Sequence, residues 1–85
     1  MRDDHVLVLR AVHDRQWATL NQVAEQLHMN RASVGRVADA LVKDGYLHRL
    51  DPAVWDPDRG QPCRLFSTTQ AGYSKVRKLT ALASP

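Results

Sequence analysis

A chain of 85 residues that is 44% hydrophobic can form one small domain over 1–85, but it is too short to house an elaborate active site. Twelve Lys and Arg against nine Asp and Glu give a formal charge of +3, which suits a polyanionic partner as well as an ordinary basic surface. A single cysteine excludes an internal disulfide, and no apolar run is long enough to cross a membrane.

The N-terminal segment MRDDHVLVLRAVHD has acids where a signal peptide is basic, and it contains no small-residue cleavage site. We therefore expect a cytoplasmic protein. Either Asp3 or Asp4 is predicted to cap a first helix that runs to about Arg15. Residues 17–20 are a candidate for a very short extended segment before the second helix.

The region from Thr19 to Arg36 has the apolar spacing of two helices joined by a tight turn. One helix is predicted to begin at Asn21, and each helix has one apolar face. These faces consist of Leu20, Val23, Ala24 and Leu27 in the first helix and Val34, Val37, Ala38, Leu41 and Val42 in the second. In the intervening turn His28-Met29-Asn30, Met29 fills the corner and Asn30 caps the second helix. This pattern predicts a helix-turn-helix, in which the second helix enters the major groove of DNA.

The second of these helices is predicted to run from Arg31 to about Asp44, because Gly45 can take the left-handed position that ends a helix. Alternation of apolar and polar residues predicts a strand over 46–51 and a return strand over 63–67. The segment PAVWDPDRGQP between them holds three of the four prolines and is typical of a turn.

Thr68 or Thr69 is predicted to cap a last helix over 70–83. The order of elements predicts a mainly α fold with a small β-hairpin. In detail, it is a winged helix-turn-helix with a three-helix core, a two-stranded wing and a C-terminal helix.

The run VLRAVHDRQWATLNQVAEQLHMNRASVGRVADALVKDGYLHRL, followed by DPDRG and STTQAGYSKV, resembles the DNA-binding core of MarR-type winged-helix regulators. The resemblance extends from about His5 to Leu79 and implies a DNA-binding transcriptional regulator. His28 stands where such proteins usually carry a turn glycine. Members of the family form dimers through further helices before and after this core, and those arms are nearly absent here.

The side of the second helix that lies opposite its apolar face supplies the candidate DNA contacts. This outward stripe consists of Ala32, Arg36 and Lys43, with Asp39 close beside it. Arg36 is predicted to contact a base edge, because a guanidinium can donate two hydrogen bonds to guanine. Ala32 and Ser33 can meet a thymine methyl group or a base edge, and Arg31 and Lys43 are expected at phosphates. The alternative is a solvated face on which these cations pair with Asp39. Gly35 either permits a close approach to DNA or is simply tolerated in the helix.

The wing, residues 52–63, carries a second candidate contact. Arg59 lies in the turn sequence DPDRG and matches the wing arginine of the resembled family, so we expect it to enter a narrow minor groove. Asp58 or Asp56 can hold its guanidinium, although that pairing would also suit a loop that contacts nothing. Trp55 is expected to pack back on the hairpin, and the alternative is that it anchors a protein contact.

Other chemistry finds little support in the sequence. The four histidines and Cys63 have no close metal-ligand spacing, so no metal site and no cofactor is inferred. Cys63 is interpreted as a structural or incidental cysteine. Because the sequence contains no activated nucleophile, paired acids or glycine-rich phosphate loop, we do not expect an enzyme.

Two helices offer apolar residues for self-association. The last helix carries Val76, Leu79 and Ala83 in a narrow heptad-like seam, and the first helix is apolar over a wide arc that includes Leu7. The alternative is that the two helices pack together within one monomer. We expect a homodimer, whose two-fold symmetry would place two reading helices on a palindromic operator.

The sequence as a whole therefore predicts a sequence-specific DNA-binding transcriptional regulator, specifically a repressor, whose partner is double-stranded DNA. No small-molecule effector is inferred. A winged-helix protein-interaction module is the alternative from another class, and Trp55 with its acidic neighbours favours it. A third possibility is an accessory or architectural DNA-binding protein of a plasmid or phage, which would share every contact.

Overall fold

Four helices and a three-stranded antiparallel sheet form the part of the chain that the computed structural model describes, residues 2–56 and 60–83. In chain order the elements are α1 (Asp3–Arg15), β1 (Trp17–Thr19), α2 (Leu20–Leu27), α3 (Arg31–Lys43), β2 (Leu47–Asp56), β3 (Gln61–Thr68) and α4 (Gln70–Ala83). The predicted mainly helical winged helix-turn-helix is confirmed. None of the helices in these two ranges is long and apolar enough to span a membrane.

The first two helices begin in different ways. Helix α1 begins after Arg2, whose side chain makes no capping hydrogen bond, so the predicted cap by Asp3 or Asp4 is wrong. Both acids lie inside the first turn, where their negative charge interacts favourably with the positive end of the helix dipole. Helix α2 begins one residue before the predicted start, because Thr19 and Gln22 form a reciprocal capping box.

The turn between α2 and α3 is closed by backbone and side-chain hydrogen bonds. His28 adopts the left-handed conformation, with φ 54° and ψ 40°, at the position where a glycine would be unstrained. The Met29 amide donates to the Ala24 carbonyl at 3.0 Å, and the Ala32 amide donates to Asn30 Oδ1 at 2.7 Å. The predicted Asn30 cap is therefore confirmed, and α3 begins at a defined angle to α2.

Helix α3 ends as predicted, at a left-handed glycine. Gly45 has φ +85°, its amide donates to the Val42 carbonyl, and the Tyr46 amide donates to the Leu41 carbonyl at 2.9 Å. These two bonds make a Schellman motif, which uses carbonyl groups that the helix leaves free. The chain then turns directly into β2.

The sheet has one more strand than the predicted two-stranded wing. Strand β1 pairs with β3 from Trp17 opposite Ser67 to Thr19 opposite Leu65, which gives the strand order β1-β3-β2. The candidate extended segment at 17–20 is thus a true strand over its first three residues. Because α2 follows β1 without a break, the sheet holds the start of the helix-turn-helix.

The hairpin strands are longer than predicted. Strand β2 continues through Pro52 to Asp56, and β3 begins at Gln61, so most of the proline-rich segment is extended. A proline removes one backbone donor, but β2 is an edge strand and its register with β3 shifts between Leu50 and Val54. Edge positions and irregularities of this kind are where a strand accepts proline.

The core lies between the three N-terminal helices, the sheet and α4. Its largest fully buried side chains include Phe66 of β3, Leu9 of α1, Leu41 of α3 and Leu47 of β2. Val76 of α4 belongs to this core with 5% of its surface exposed, so its own monomer already covers most of the side chain that was predicted to lie in a dimer seam. A side chain that is already enclosed by its own monomer has almost no apolar area left to bury against a partner.

Helix α4 is fixed at its start by contacts with the segment that follows α3. Thr69, one of the two predicted caps, accepts from the Gly72 amide at 3.1 Å and donates to the Gly45 carbonyl at 2.5 Å. A Cβ atom on Gly72 would overlap the Tyr46 carbonyl oxygen, so only glycine allows this close approach. These contacts fix the start of α4 against Gly45 and Tyr46, directly after the end of α3.

Candidate nucleic-acid interface

Helix α3 has one buried face and one exposed face, as its apolar spacing predicts. Val34, Val37, Ala38 and Leu41 are each at most 6% exposed, and Val42 packs against them. Ala32, Arg36, Asp39 and Lys43 are exposed on the other side. The capped turn before α3 and the Schellman motif after it hold this outward stripe in place.

Two cations of the outward stripe are available to a ligand. Arg36 and Lys43 are exposed, and within the described ranges neither lies at ion-pair distance from an acid. Ser33 and Arg31 are half-buried at the start of the helix. The Nε atom of Arg31 is enclosed and has no hydrogen-bond partner among the residues that the structure describes.

Asp39 is paired with a residue from the sheet, which the spacing along α3 does not predict. Arg64 Nη1 of β3 donates to Asp39 Oδ1 at 3.1 Å and to Oδ2 at 3.4 Å. The alternative in which Asp39 pairs with the cations of its own helix is therefore wrong. Strand alternation was the available signal, since Arg64 shares the face of β3 that carries the core residue Phe66 and so faces the helices.

Gly35 lies beneath this ion pair and not on the outward stripe. It is buried, and a Cβ atom built on it would lie 3.5 Å from Arg64 Nη2 and 4.0 Å from the methyl groups of Leu20. The suggestion that Gly35 permits a close approach to DNA is wrong, because this position faces the interior of the fold. An alanine would make only ordinary van der Waals contacts here.

Two clefts flank the outward stripe. The N-terminal cleft lies between the start of α1 and the first half of α3, and it is lined by Arg2, Asp4, His5, Ser33, Arg36 and Val37. The C-terminal cleft lies between the second half of α3 and β2, and it is lined by Asp39, Val42, Lys43, His48 and Arg49. Helical spacing did not predict the lining residues Arg2, His48 and Arg49, because the packing of other segments against α3 brings them there.

Only part of the wing, residues 52–63, belongs to the residues that the structure describes. Arg59 and Asp58 lie outside the described residues, as does the side chain of Asp56, so the predicted minor-groove contact stays a prediction. Trp55 of β2 is 62% exposed, and its predicted packing against the hairpin is wrong. A second tryptophan, Trp17 of β1, is 60% exposed.

The residues predicted to mediate self-association have different environments. Leu7 of α1 is 50% exposed, whereas its neighbours Val8 and Leu9 are fully buried. Leu79 of α4 is half-buried, and the side chain of Ala83 lies outside the described residues. Cys63, interpreted as structural or incidental, is 4% exposed within β3.

Solved structures with the same fold have longer chains than this one. A mutant of MarR from E. coli complexed with operator DNA superposes with a TM-score of 0.75 at 19% identity, over 92% of this chain and 52% of that one. BpsR from Bordetella bronchiseptica, whose DNA binding is regulated by 6-hydroxynicotinic acid, gives 0.79 at 22% identity, over 98% and 59%. A probable transcriptional regulator from Pseudomonas aeruginosa gives 0.78 at 24% identity, over 98% and 59%.

This chain therefore spans between half and three fifths of the length of these structures. No curated protein matches it. The family model described as "MarR family" matches residues 3–53, which include α1, the whole helix-turn-helix and the first part of β2. On the strength of that match and of the fold, the chain belongs to the MarR family and has its winged-helix structure.

Proposed function

We propose that the chain is a sequence-specific DNA-binding repressor that reads the major groove with α3 and the minor groove with the wing, residues 52–63. The observation that carries the proposal is the outward stripe of α3. It presents Arg36 and Lys43 without an acidic partner among the described residues, while the other face of the same helix is anchored in the core. Rigid presentation of unpaired donors is what recognition of base edges requires.

The N-terminal half of α3 supports direct reading of bases. Ala32 and Arg36 are exposed and Ser33 is half-buried beside them, so a methyl group, a hydroxyl and a guanidinium are presented together. In this proposal Arg31, at the start of the helix, and Lys43, near its end, contact phosphates on either side. Arg59 at the wing extends the proposed contact to the minor groove.

A homodimer on a palindromic operator is part of the proposal. Leu7 leaves half of its surface exposed on α1, and Leu79 is half-buried on α4, so both retain apolar area for a second copy. A two-fold dimer would place two copies of α3 about 34 Å apart on one face of a duplex. Sedimentation of the chain with and without DNA tests this, and a monomer at micromolar concentration in both conditions would contradict it.

Selection from a random pool of duplex DNA tests the function itself. We expect enrichment of a palindromic sequence by the parent chain and a loss of preference at one base pair per half-site for Arg36→Ala. Arg77→Ala removes the same charge from the exposed surface of α4 and is the matched control. Enrichment of no sequence by the parent chain would contradict sequence-specific recognition.

A protein-interaction module is the second candidate function, because Trp17 and Trp55 are both more than half exposed. Large aromatic side chains on a surface are frequent anchors of protein interfaces. The same selection separates the two functions, since a protein-binding module enriches no DNA. An accessory DNA-binding protein would enrich DNA, and its sites would lie outside promoters.

A further inference from the structure

The C-terminal cleft combines basic side chains from two successive elements, α3 and β2. Lys43 comes from the last turn of α3, whereas His48 and Arg49 come from the start of β2, and all three line one surface depression. Lys43, His48 and Arg49 are exposed. Arg49 is the register partner of the core residue Phe66, so its side chain shares the face of the sheet that packs against the helices.

One carboxylate also lines this cleft, and the fold pairs it with a cation. Asp39 would weaken binding of an anion beside Lys43 if its charge were unopposed. Arg64 approaches from β3 and donates to both carboxylate oxygens, at 3.1 and 3.4 Å. The cleft therefore keeps the positive charges of Lys43 and Arg49, while the charge of Asp39 is compensated from the side of the sheet.

From this arrangement we propose that the C-terminal cleft binds one phosphodiester group of the DNA backbone, with Lys43 and Arg49 as its ligands and Arg64 as a positioning residue. The inference rests on the proposed DNA binding and extends it to β2. A phosphate contact is independent of base sequence. It holds the C-terminal half of α3 against one DNA strand while the N-terminal half reads bases. Arg64 acts through Asp39 and does not itself contact DNA.

The test measures binding of the full chain to its selected duplex and to an unrelated duplex over a range of salt concentrations. For Arg49→Gln we expect equal loss of affinity on both duplexes and a salt slope shallower by about 0.9, the value for one phosphate contact on B-DNA. The parent-to-variant affinity ratio should then shrink about threefold as salt rises from about 50 to about 200 mM. Lys78→Gln, an exposed charge on α4, is the matched control and should leave the slope at the parent value.

Arg64→Gln distinguishes charge compensation from a purely structural role of the ion pair. It leaves Asp39 unopposed, so we expect weaker binding of both duplexes, and the double variant Asp39→Asn/Arg64→Gln should restore most of the loss. A double variant as weak as Arg64→Gln would overturn the positioning role. Circular dichroism melting of each variant identifies losses caused by unfolding, and Arg49→Lys, which keeps the charge, should retain most of the affinity.

Three further outcomes overturn the proposal. If Arg49→Gln binds DNA with the parent salt slope, the cleft contacts no phosphate, although the proposed function stands. If the parent chain binds no duplex at all, both proposals fail together. If inorganic phosphate at constant ionic strength binds the parent chain and not Arg49→Gln, yet does not displace DNA from the parent chain, the cleft is a site for free phosphate and not for the DNA backbone.

Discussion

The two halves of helix α3 are built for different tasks. In the N-terminal half, Ala32 and Arg36 extend from the surface without an ion pair to any described acid, and the Asn30 side-chain cap and the buried Val34 hold the turn in place. In the C-terminal half, Asp39 is bonded to β3 through Arg64, and Leu41 is fully buried. The N-terminal half presents its outward residues to a ligand, whereas the C-terminal half, besides presenting Lys43, also fixes the helix to the sheet. The difference shows how a short helix combines rigidity with accessibility.

The most direct way to break this division is to remove the anchor. Leu41 has no exposed surface, so Leu41→Ala should lower the free energy of unfolding by about 2–5 kcal/mol through lost transfer energy and a cavity. Chemical denaturation followed by circular dichroism measures the change. Lys43→Ala, two residues further along the same helix, should alter stability by less than about 0.5 kcal/mol, because its side chain is exposed. Similar melting curves for the two variants would show that the second half of α3 is not anchored through Leu41.

A substitution in the N-terminal half should change recognition and leave stability nearly unaltered. Arg36→Ala is expected to cost about 1–3 kcal/mol of specific binding energy and to relax preference at one base pair. Titration against the selected duplex and against single-base variants of it measures both effects. Equal losses on specific and unrelated DNA would reassign Arg36 to a phosphate contact.

A substitution in the wing should lower DNA affinity by a smaller amount than Arg36→Ala, and the loss should depend on the sequence that flanks the site. If Arg59 responds to groove potential, Arg59→Ala should lose most affinity on sites with A·T-rich flanks, where the minor groove is narrow. A competitor series that varies only the flanking sequence measures this dependence. An unchanged flank preference in the variant would mean that the wing does not respond to DNA shape.

The smallest expected effect concerns the glycine between the two halves. Gly35→Ala adds a methyl group that lies at ordinary contact distance from Arg64, and it improves helix propensity by about 1 kcal/mol. We therefore expect a slightly higher free energy of unfolding and unchanged DNA affinity. Gly45→Ala is the contrasting control and should destabilise the chain, because Gly45 has φ +85°. Impaired DNA binding by Gly35→Ala at normal stability would indicate that this position approaches the duplex after all.

Much of the fold follows from local signals along the chain. Apolar spacing predicted the helices and the inward face of α3, and Asn30, Gly45 and Thr69 mark element boundaries that the structure confirms. These signals are reliable because a cap or a left-handed residue depends only on atoms a few positions away. The first cap was predicted wrongly for a related reason: an acid near a helix start can stabilise the first turn by its charge without accepting a capping hydrogen bond.

The sequence by itself determined which side of α3 faces outward and which residues that side presents. Only the tertiary structure decided what surrounds it. Pairing of β1 with β3, the enclosure of Val76 and the bond from Arg64 to Asp39 all join segments that local patterns treat separately. A periodic pattern reveals that a face is apolar, but it does not reveal whether the same monomer or a partner covers that face. Likewise, the effective charge of Asp39 depends on a guanidinium 25 residues away, which only the folded chain brings within hydrogen-bond distance.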